Sequence, residues 1–283
     1  MFKELIKFYL PNFIIKNFNS IFKRNIRITG SFKNWNKAIL NSGTYNNKEI
    51  FINSKKSFLK IINNEACFER DSVTFNYEKL NKPLISLLEK IRKNKKKKFL
   101  RILDFGGSFG STYFQNKKIF HDDLKYQWDI IEQIKIVDFA NKTLKIKNLN
   151  FYKSINHYIR NNNPDIVLFS SVLHYLEFPF QIIEKFFKKK IGYFIVLKTP
   201  FTKTSSQIRI QVNPQYIYKA NYPIRIFNET LFKSFFKNKK YQVQNLNWDI
   251  QKIDDIKFKS FVFKKNKLSI FAHILIKITY QDF

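Results

Sequence analysis

The stretch Ile102-Leu103-Asp104-Phe105-Gly106-Gly107-Ser108-Phe109-Gly110 decides the fold of this 283-residue chain. It begins as an apolar run that ends in an acid, which is typical of a buried strand. Three glycines then precede a helical pattern, and glycine lets a backbone approach a ligand where a Cβ atom would collide. The stretch therefore predicts a strand, a tight turn that faces a ligand, and a helix.

Apolar runs alternate with amphipathic stretches after this first strand. Strands are predicted at 99–105, 126–132, 148–152, 164–170 and 191–198. Strands separated by helical patterns indicate a parallel sheet with right-handed crossovers.

The carboxyl-terminal part predicts a helix near 229–237 and two last strands at 241–250 and 267–279. The segment between those strands, 251–266, is too short for a crossover helix with its loops. A hairpin is the economical connection, so one of the two strands should run antiparallel to the rest.

Three parts are predicted along the chain. Residues 1–30 form a basic amphipathic segment, and residues 31–98 form an accessory cap with a leading helix at 77–93. Residues 99–283 form the ligand-binding domain, which carries an insert at 201–227. Within the first part, residues 1–24 suit peripheral contact with an anionic membrane surface or docking onto the domain.

Composition excludes several classes of protein. The single cysteine, Cys67, cannot form an internal disulfide, and His121, His157 and His273 lack partners at metal-ligand spacing, so no metal is expected. No apolar stretch is long enough to span a membrane, and the amino terminus lacks a cleavable signal. We therefore expect a cytoplasmic protein, and peripheral contact with the inner membrane surface through residues 1–24 stays an open alternative.

The formal net charge of +31 raises the question of a nucleic-acid partner, because Lys and Arg neutralise phosphates. Lys shares AT-rich codons with the abundant Asn, Ile, Phe and Tyr, so a biased genome explains much of the charge without a partner. The Lys residues are also spread along the chain, apart from a run at 93–98. Nucleic-acid binding stays an alternative that no motif supports.

The turn after the first strand differs from the dinucleotide-binding pattern G-x-G-x-x-G. Phe105 occupies the position of that pattern's first Gly, and Asp104 precedes it. A carboxylate repels a diphosphate but suits the cationic amino group of S-adenosylmethionine. The turn resembles the methyltransferase pattern D/E-x-G-x-G-x-G with Ser108 in place of the middle Gly, which implies S-adenosylmethionine as the cofactor. The predicted cofactor-binding residues of the turn are Asp104, Gly106, Gly107 and Gly110.

Further candidates follow the other strands, since ligands of open α/β sheets bind at the strands' carboxyl ends. Glu132 is placed to accept hydrogen bonds from both ribose hydroxyls, although it could instead cap the next helix. Ser170 is a further predicted cofactor contact. His174 and Tyr175 should face the methyl-transfer site, where His174 is a candidate general base. Cofactor packing and a purely structural role are the alternatives for His174.

Several short segments together resemble a family of class I S-adenosylmethionine-dependent methyltransferases that are often encoded among surface-polysaccharide biosynthesis genes. The likeness covers most of residues 30–250. The matching segments are Phe32-Lys33-Asn34-Trp35, Gly43-Thr44-Tyr45, Phe68-Glu69-Arg70-Asp71-Ser72, Leu103-Asp104-Phe105-Gly106-Gly107, Trp128-Asp129-Ile130-Ile131-Glu132-Gln133, Ser170-Ser171-Val172-Leu173-His174-Tyr175-Leu176, Thr199-Pro200-Phe201 and Tyr218-Lys219-Ala220-Asn221-Tyr222-Pro223.

The resemblance implies an α/β, Rossmann-like fold: a seven-stranded, mostly parallel sheet with an antiparallel C-terminal strand and an N-terminal helical accessory segment. It implies methyl transfer, and its genomic setting suggests a sugar acceptor. Two positions depart from the family, which often has Asp-Arg where this chain has Leu197-Lys198 and commonly has Gln where His174 stands. A required base at His174 is therefore in doubt.

The predicted function is methylation of a glycan or nucleotide-sugar precursor. Lys198 joins His174 and Tyr175 as a catalytic candidate, and the candidates for acceptor binding are Glu69, Arg70, Asp71, Arg209 and Lys219. Absence of an Asn/Asp-Pro-Pro-Tyr sequence after the fourth strand disfavours adenine and glutamine-amide acceptors. An RNA methyltransferase and a non-catalytic module of the same fold at a membrane surface are the alternatives.

Overall fold

The protein is described here by a computed structural model that covers residues 26–120, 125–214, 220–253 and 256–266. The helices are α1 (Trp35–Leu40), α2 (Lys48–Ile62), α3 (Lys82–Asn94), α4 (Ser111–Gln115), α5 (Lys117–Phe120), α6 (Ile134–Thr143), α7 (Ile155–Asn161), α8 (Pro179–Phe187) and α9 (Glu229–Lys237). The basic segment 1–24, His121, Lys219, His273 and the strand predicted at 267–279 lie outside these ranges.

The strands alternate with these helices along most of the chain. They are β1 (Arg27–Phe32), β2 (Phe68–Arg70), β3 (Val73–Phe75), β4 (Leu100–Phe105), β5 (Tyr126–Ile131), β6 (Leu149–Tyr152), β7 (Ile166–Ser170), β8 (Tyr193–Thr202), β9 (Gln207–Val212), β10 (Asn221–Asn228), β11 (Tyr241–Ile253) and β12 (Ile256–Lys265).

Seven of the strands form the central sheet in the order β6-β5-β4-β7-β8-β12-β11. The pairs from β6 to β8 are parallel, whereas β12 runs antiparallel to both β8 and β11. This order confirms the predicted seven-stranded, mostly parallel sheet with an antiparallel strand near the carboxyl terminus. Because β4 and β7 are neighbours although β5 and β6 lie between them in sequence, the strand order reverses beside β4.

The position of the antiparallel strand corrects the sequence prediction. Residues 251–266 were expected to connect two strands, but 256–265 are themselves strand β12. Phe261, Val262 and Phe263 are all buried, because this strand lies inside the sheet with both faces covered. The lysines of Ile256–Lys265 make this strand look like a polar connecting segment. The more apolar run at 267–279 was therefore predicted as the strand instead.

An antiparallel extension is attached to one end of the sheet. Strand β10 pairs in parallel with the last residues of β8, and β9 and β1 follow it as antiparallel neighbours. The predicted insert 201–227 therefore contributes strands β9 and β10. The boundary that was drawn between residues 30 and 31 falls within β1, which pairs with β9 and so belongs to this extension.

The predicted accessory cap, residues 31–98, contains two helices and a hairpin before the leading helix. Asn47 accepts a hydrogen bond from the backbone N–H of Glu49 and so caps α2, and Asn81 caps α3 in the same way through Leu84. The hairpin β2–β3 turns through Asp71 and Ser72, whose φ angles are 52° and 64°. Positive φ at both central residues is the geometry of a two-residue hairpin turn.

The core occupies both faces of the sheet. Side chains alternate along each strand, so Ile102 and Trp128 pack on one face while Leu103 and Ile131 pack on the other. Most of these side chains are fully buried aromatic or branched groups. The carboxyl ends of β4, β5, β6 and β7 consequently meet at one rigid edge.

The corrected strand gives a test of the fold. Phe263 is fully buried in β12, and its ring stacks on Phe236 of α9 with centroids 3.8 Å apart. We expect Phe263→Ala to lower the free energy of unfolding by about 3–5 kcal/mol, because the change leaves a cavity in the core. The measurement is urea denaturation, with the exposed neighbour Lys264→Ala as control. Equal stability losses in the two variants would contradict this placement of β12.

Candidate functional site

A cavity of about 530 Å³ opens at the carboxyl edge of the sheet. This volume lies within the range of small-molecule sites in proteins. Its walls come from the ends of β4, β5 and β6, from the turn after β7, and from α1 and the loop that follows it. The place matches the rule that ligands of open α/β sheets bind where the strand order reverses.

The glycine turn after β4 lies too close to its neighbours for any side chain. A Cβ atom on Gly106 would lie 2.3 Å from Cγ2 of Val172, and one on Gly107 would lie 2.7 Å from Oδ2 of Asp104. Gly106 also has a φ of +72°. Gly110 precedes α4 and is not among the cavity walls. Glycine is therefore required at Gly106 and Gly107 because Val172 and Asp104 occupy the space, and the approach of a ligand to this turn stays a prediction.

Asp104 lies fully buried beneath this turn. Its Oδ2 accepts a hydrogen bond from Nε1 of Trp128 at 3.3 Å, whereas Oδ1 has no partner among the described residues. Burial raises the pKa of Asp104 to about 7. A buried carboxylate with one unpaired oxygen favours a cation or a hydrogen-bond donor nearby.

Glu132 follows β5 directly and forms part of the cavity wall. Its carboxylate accepts hydrogen bonds from the backbone N–H groups of Gln133 and Ser108, so it links two strand ends. Burial nevertheless raises the pKa of Glu132 to about 7. Ser108, which stands where the methyltransferase pattern has its middle glycine, adopts a φ of 53° and contributes through its backbone.

Aromatic rings separate the large cavity from a second one of about 70 Å³. Tyr45 stacks on Tyr175 with ring centroids 4.6 Å apart, and both rings belong to the walls of both cavities. Burial raises the pKa of Tyr45 well above its usual value, with repulsion from nearby acids as a further cause. Tyr45 therefore keeps its proton at neutral pH. Of the other predicted cofactor contacts, Ser170 lines the small cavity.

The structure does not support His174 as a general base. The ring is buried behind Tyr175 and Phe258, and it lines neither cavity. Among the described residues Nδ1 has no hydrogen-bond partner, and burial lowers the pKa of His174 to about 3. The side chain is therefore neutral at physiological pH, and it reaches no ligand in either cavity. A packing role, the alternative to catalysis, fits these contacts.

The structure places some of the predicted acceptor-binding residues at a cavity and others away from both cavities. Glu69, Arg70 and Asp71 form the tip of the β2–β3 hairpin and line the small cavity beside Gly107 and Ser108. The hydrogen bonds that hold this tip run to Ser111 and Gln115 of α4, the helix that follows the glycine turn.

Lys198 and Arg209 line neither cavity. Lys198 is exposed at an irregularity of β8, where its φ is 48° and its backbone N–H donates to Oγ of Ser260 at 3.1 Å. Arg209 is a half-buried residue of β9. These positions do not support the expected catalytic role of Lys198 or the expected acceptor contact of Arg209, and Lys219 lies outside the described residues.

Several wall residues were not predicted. The strand-end rule could have found those that follow β6, which are Lys153, Ser154, Ile155 and Asn156. Others come from elements that only the tertiary fold brings near, and although three of them lie in segments that resemble the methyltransferase family, none was predicted as a wall residue. These are Trp35, Thr44, Asn46, Lys185 and Pro223.

Within the described ranges, no group of three or more His, Cys, Asp and Glu residues could hold a metal ion. Over the same residues, no helix has the length and apolar character to cross a membrane.

No protein-family model and no curated protein sequence matches the chain. Among solved structures it is similar to the N-terminal domain of EvdMO1 in the presence of S-adenosylhomocysteine and D-fucose, with 10% identity, a TM-score of 0.50, and coverage of 79% of this chain and 98% of that one. It is also similar to CalS10, an amino pentose methyltransferase from Micromonospora echinaspora, with 9% identity, a TM-score of 0.45, and coverage of 66% and 92%. The chain has the Rossmann-like fold of class I methyltransferases.

The raised pKa of Asp104 predicts how stability depends on pH. Asp104 titrates near pH 7 in the folded protein and near pH 4 when unfolded, so the folded state binds the extra proton between these values. Its contribution to stability is therefore complete below about pH 4 and is lost as the pH rises to about 7. We expect the unfolding free energy of Asp104→Asn to fall less than that of the wild type between about pH 5 and pH 8, by about 1–3 kcal/mol.

Urea denaturation at the two pH values measures this difference, with Glu65→Gln as the control because Glu65 is exposed. Parallel losses of stability in the wild type and in Asp104→Asn would show that Asp104 does not carry a raised pKa.

Proposed function

We propose that this protein is an S-adenosylmethionine-dependent methyltransferase that acts on a glycan or a nucleotide-sugar precursor of a surface polysaccharide. The observation that carries the proposal is the large cavity at the strand-order reversal, which combines the glycine turn with Glu132 at the end of the neighbouring strand. The resemblance of the sequence to a methyltransferase family and the fold support the same activity.

The residues present fit S-adenosylmethionine. Glu132 offers carboxylate oxygens to a pair of hydroxyl groups such as those of ribose, and Gly106 contributes to the walls of both cavities. Asp104 lines neither cavity, but it holds a carboxyl group with an unpaired oxygen directly beneath the turn. The bound cofactor would supply an electrophilic methyl group on a sulfonium ion.

The wall formed by α1 and the loop that follows it has the chemistry of a carbohydrate site. Trp35 and Tyr45 offer aromatic surface to the C–H face of a sugar ring, and Thr44 and Asn46 offer hydrogen-bonding groups for hydroxyls. Lys185, half-buried on the wall, suits a phosphate. These features support a nucleotide-sugar acceptor.

The residues act by positioning and not by strong acid-base chemistry. Tyr45 keeps its proton, and His174 lies outside both cavities. Holding acceptor and methyl donor in one orientation can by itself supply a large part of a rate enhancement. We therefore assign the walls the task of aligning the acceptor atom and excluding water.

Isothermal titration with S-adenosylhomocysteine tests the cofactor. We expect binding in the micromolar range, and a loss of about 10- to 100-fold in affinity for Glu132→Ala, since hydrogen bonds to a charged group are removed. Glu65→Ala is the matched control, because it removes the same charge from an exposed position. Absence of binding to folded wild-type protein would overturn the proposal.

Production of S-adenosylhomocysteine in the presence of nucleotide sugars or glycan precursors tests the acceptor. Turnover with such a compound supports the proposal. Turnover with RNA and with none of the sugars would instead favour the RNA methyltransferase alternative.

The position of His174 gives a separate prediction. Loss of a general base typically slows an enzyme by about 10²- to 10⁴-fold. Because His174 is buried outside the cavities, we expect His174→Gln to keep kcat within about tenfold of the wild type with an unchanged pH profile. Thermal unfolding of the variant controls for packing damage. A stable variant with a kcat reduced more than about a hundredfold would restore the catalytic role.

A further inference from the structure

The small cavity has a wall with both signs of charge. The hairpin tip places Arg70 and two acids, Glu69 and Asp71, opposite Gly107 and Ser108 of the glycine turn. Other described wall residues are neutral. Such a wall is complementary to a group that carries one positive and one negative charge close together.

The hairpin tip is anchored to the helix that follows the glycine turn. Oγ of Ser111 donates a hydrogen bond to Glu69, whose other oxygen accepts from the backbone N–H of Ser72 at 3.1 Å. The guanidinium of Arg70 donates to the side-chain oxygen of Gln115. Glu69 is buried and Arg70 is half-buried, so the tip forms a fixed part of the site.

The two cavities adjoin each other. Gly106, Tyr45 and Tyr175 belong to the walls of both. A ligand that fills the large cavity beside Glu132 can therefore extend a narrow end past Gly106 to the hairpin. At about 70 Å³ the second cavity suits a small polar group and not a sugar ring.

We propose that the hairpin tip binds the amino-acid end of the cofactor, with Arg70 on its α-carboxylate and the Glu69 and Asp71 side facing its ammonium group. This inference rests on the proposed function and changes the role of these residues from acceptor binding to cofactor binding. Arginine suits the task because its planar donors match a carboxylate.

Two probes separate this role from the rest of the site. S-adenosylhomocysteine carries the amino-acid end, whereas 5′-methylthioadenosine lacks it and keeps the adenosine. We expect Arg70→Gln to weaken S-adenosylhomocysteine binding by about 10- to 100-fold in isothermal titration and to leave 5′-methylthioadenosine affinity unchanged. Arg70→Lys, which keeps the charge but loses the fork of donors, should fall between the wild type and Arg70→Gln.

Arg27→Gln is the matched control, because Arg27 is an exposed residue of β1 that lines neither cavity. It should leave both affinities unchanged, which excludes a general effect of net charge. Retained 5′-methylthioadenosine binding shows that Arg70→Gln is folded.

The outcomes distinguish the two proposals. If the wild type binds neither probe, the proposed function fails. If it binds S-adenosylhomocysteine and Arg70→Gln leaves that affinity unchanged, only the hairpin assignment is overturned. Equal losses for both probes would also overturn it, since Arg70 would then support the site as a whole.

Discussion

A fully buried carboxylate at the end of β4 sets the geometry on which the site depends. Asp104 lies so close to the next turn that a Cβ atom on Gly107 would approach its Oδ2 to 2.7 Å. The turn can therefore close over the acid only without a side chain at that position. Burying a charge of this kind costs free energy unless it is paired, and Trp128 supplies one hydrogen bond. The other oxygen has no partner among the described residues, and burial raises the pKa of the carboxyl group to about 7.

The same turn organises the neighbouring strand ends. The backbone N–H of Ser108 donates to Glu132, and this bond ties the turn after β4 to the end of β5. Ser108 takes the left-handed conformation that glycine adopts more readily, so serine in place of glycine strains the backbone here. The backbone N–H of Ser108 nevertheless keeps its position as a donor. The departure from the glycine-rich pattern therefore keeps the backbone conformation of the turn.

The sequence predicts the strands and strand-end residues correctly where short local patterns determine them. Strands β4 to β8 follow from apolar runs, and Asp104 and Glu132 follow from the rule that strand ends meet at one edge. The prediction failed at β12, whose alternating lysines resemble a connecting segment although the tertiary structure buries its other residues. It also missed Trp35 as a wall residue, since it reaches the cavity only through long-range packing.

The hairpin tip shows the same limit in a different form. Glu69, Arg70 and Asp71 were predicted to bind the acceptor, and the structure places them in the wall of the small cavity beside the glycine turn. The bond between Glu69 and Ser111 joins residues 42 positions apart, and nothing in either segment specifies it. The sequence shows that these side chains are charged. Their position relative to a ligand depends on the tertiary fold.

The distribution of acids gives the site its electrostatic character. The chain has only 21 acidic residues against 52 basic ones, yet Glu69, Asp71, Asp104 and Glu132 surround the two cavities or the turn between them. Burial raises the pKa of Asp104 and of Glu132 to about 7, and repulsion from Glu132 contributes to the shift of Asp104. Asp104 and Glu132 are therefore partly protonated at neutral pH when no cation is present. A positively charged ligand would favour their ionised forms, so its binding and the release of protons are coupled. In a protein with a formal net charge of +31, the walls of the two cavities thus carry three acids, Glu69, Asp71 and Glu132, against three basic residues, Arg70, Lys153 and Lys185.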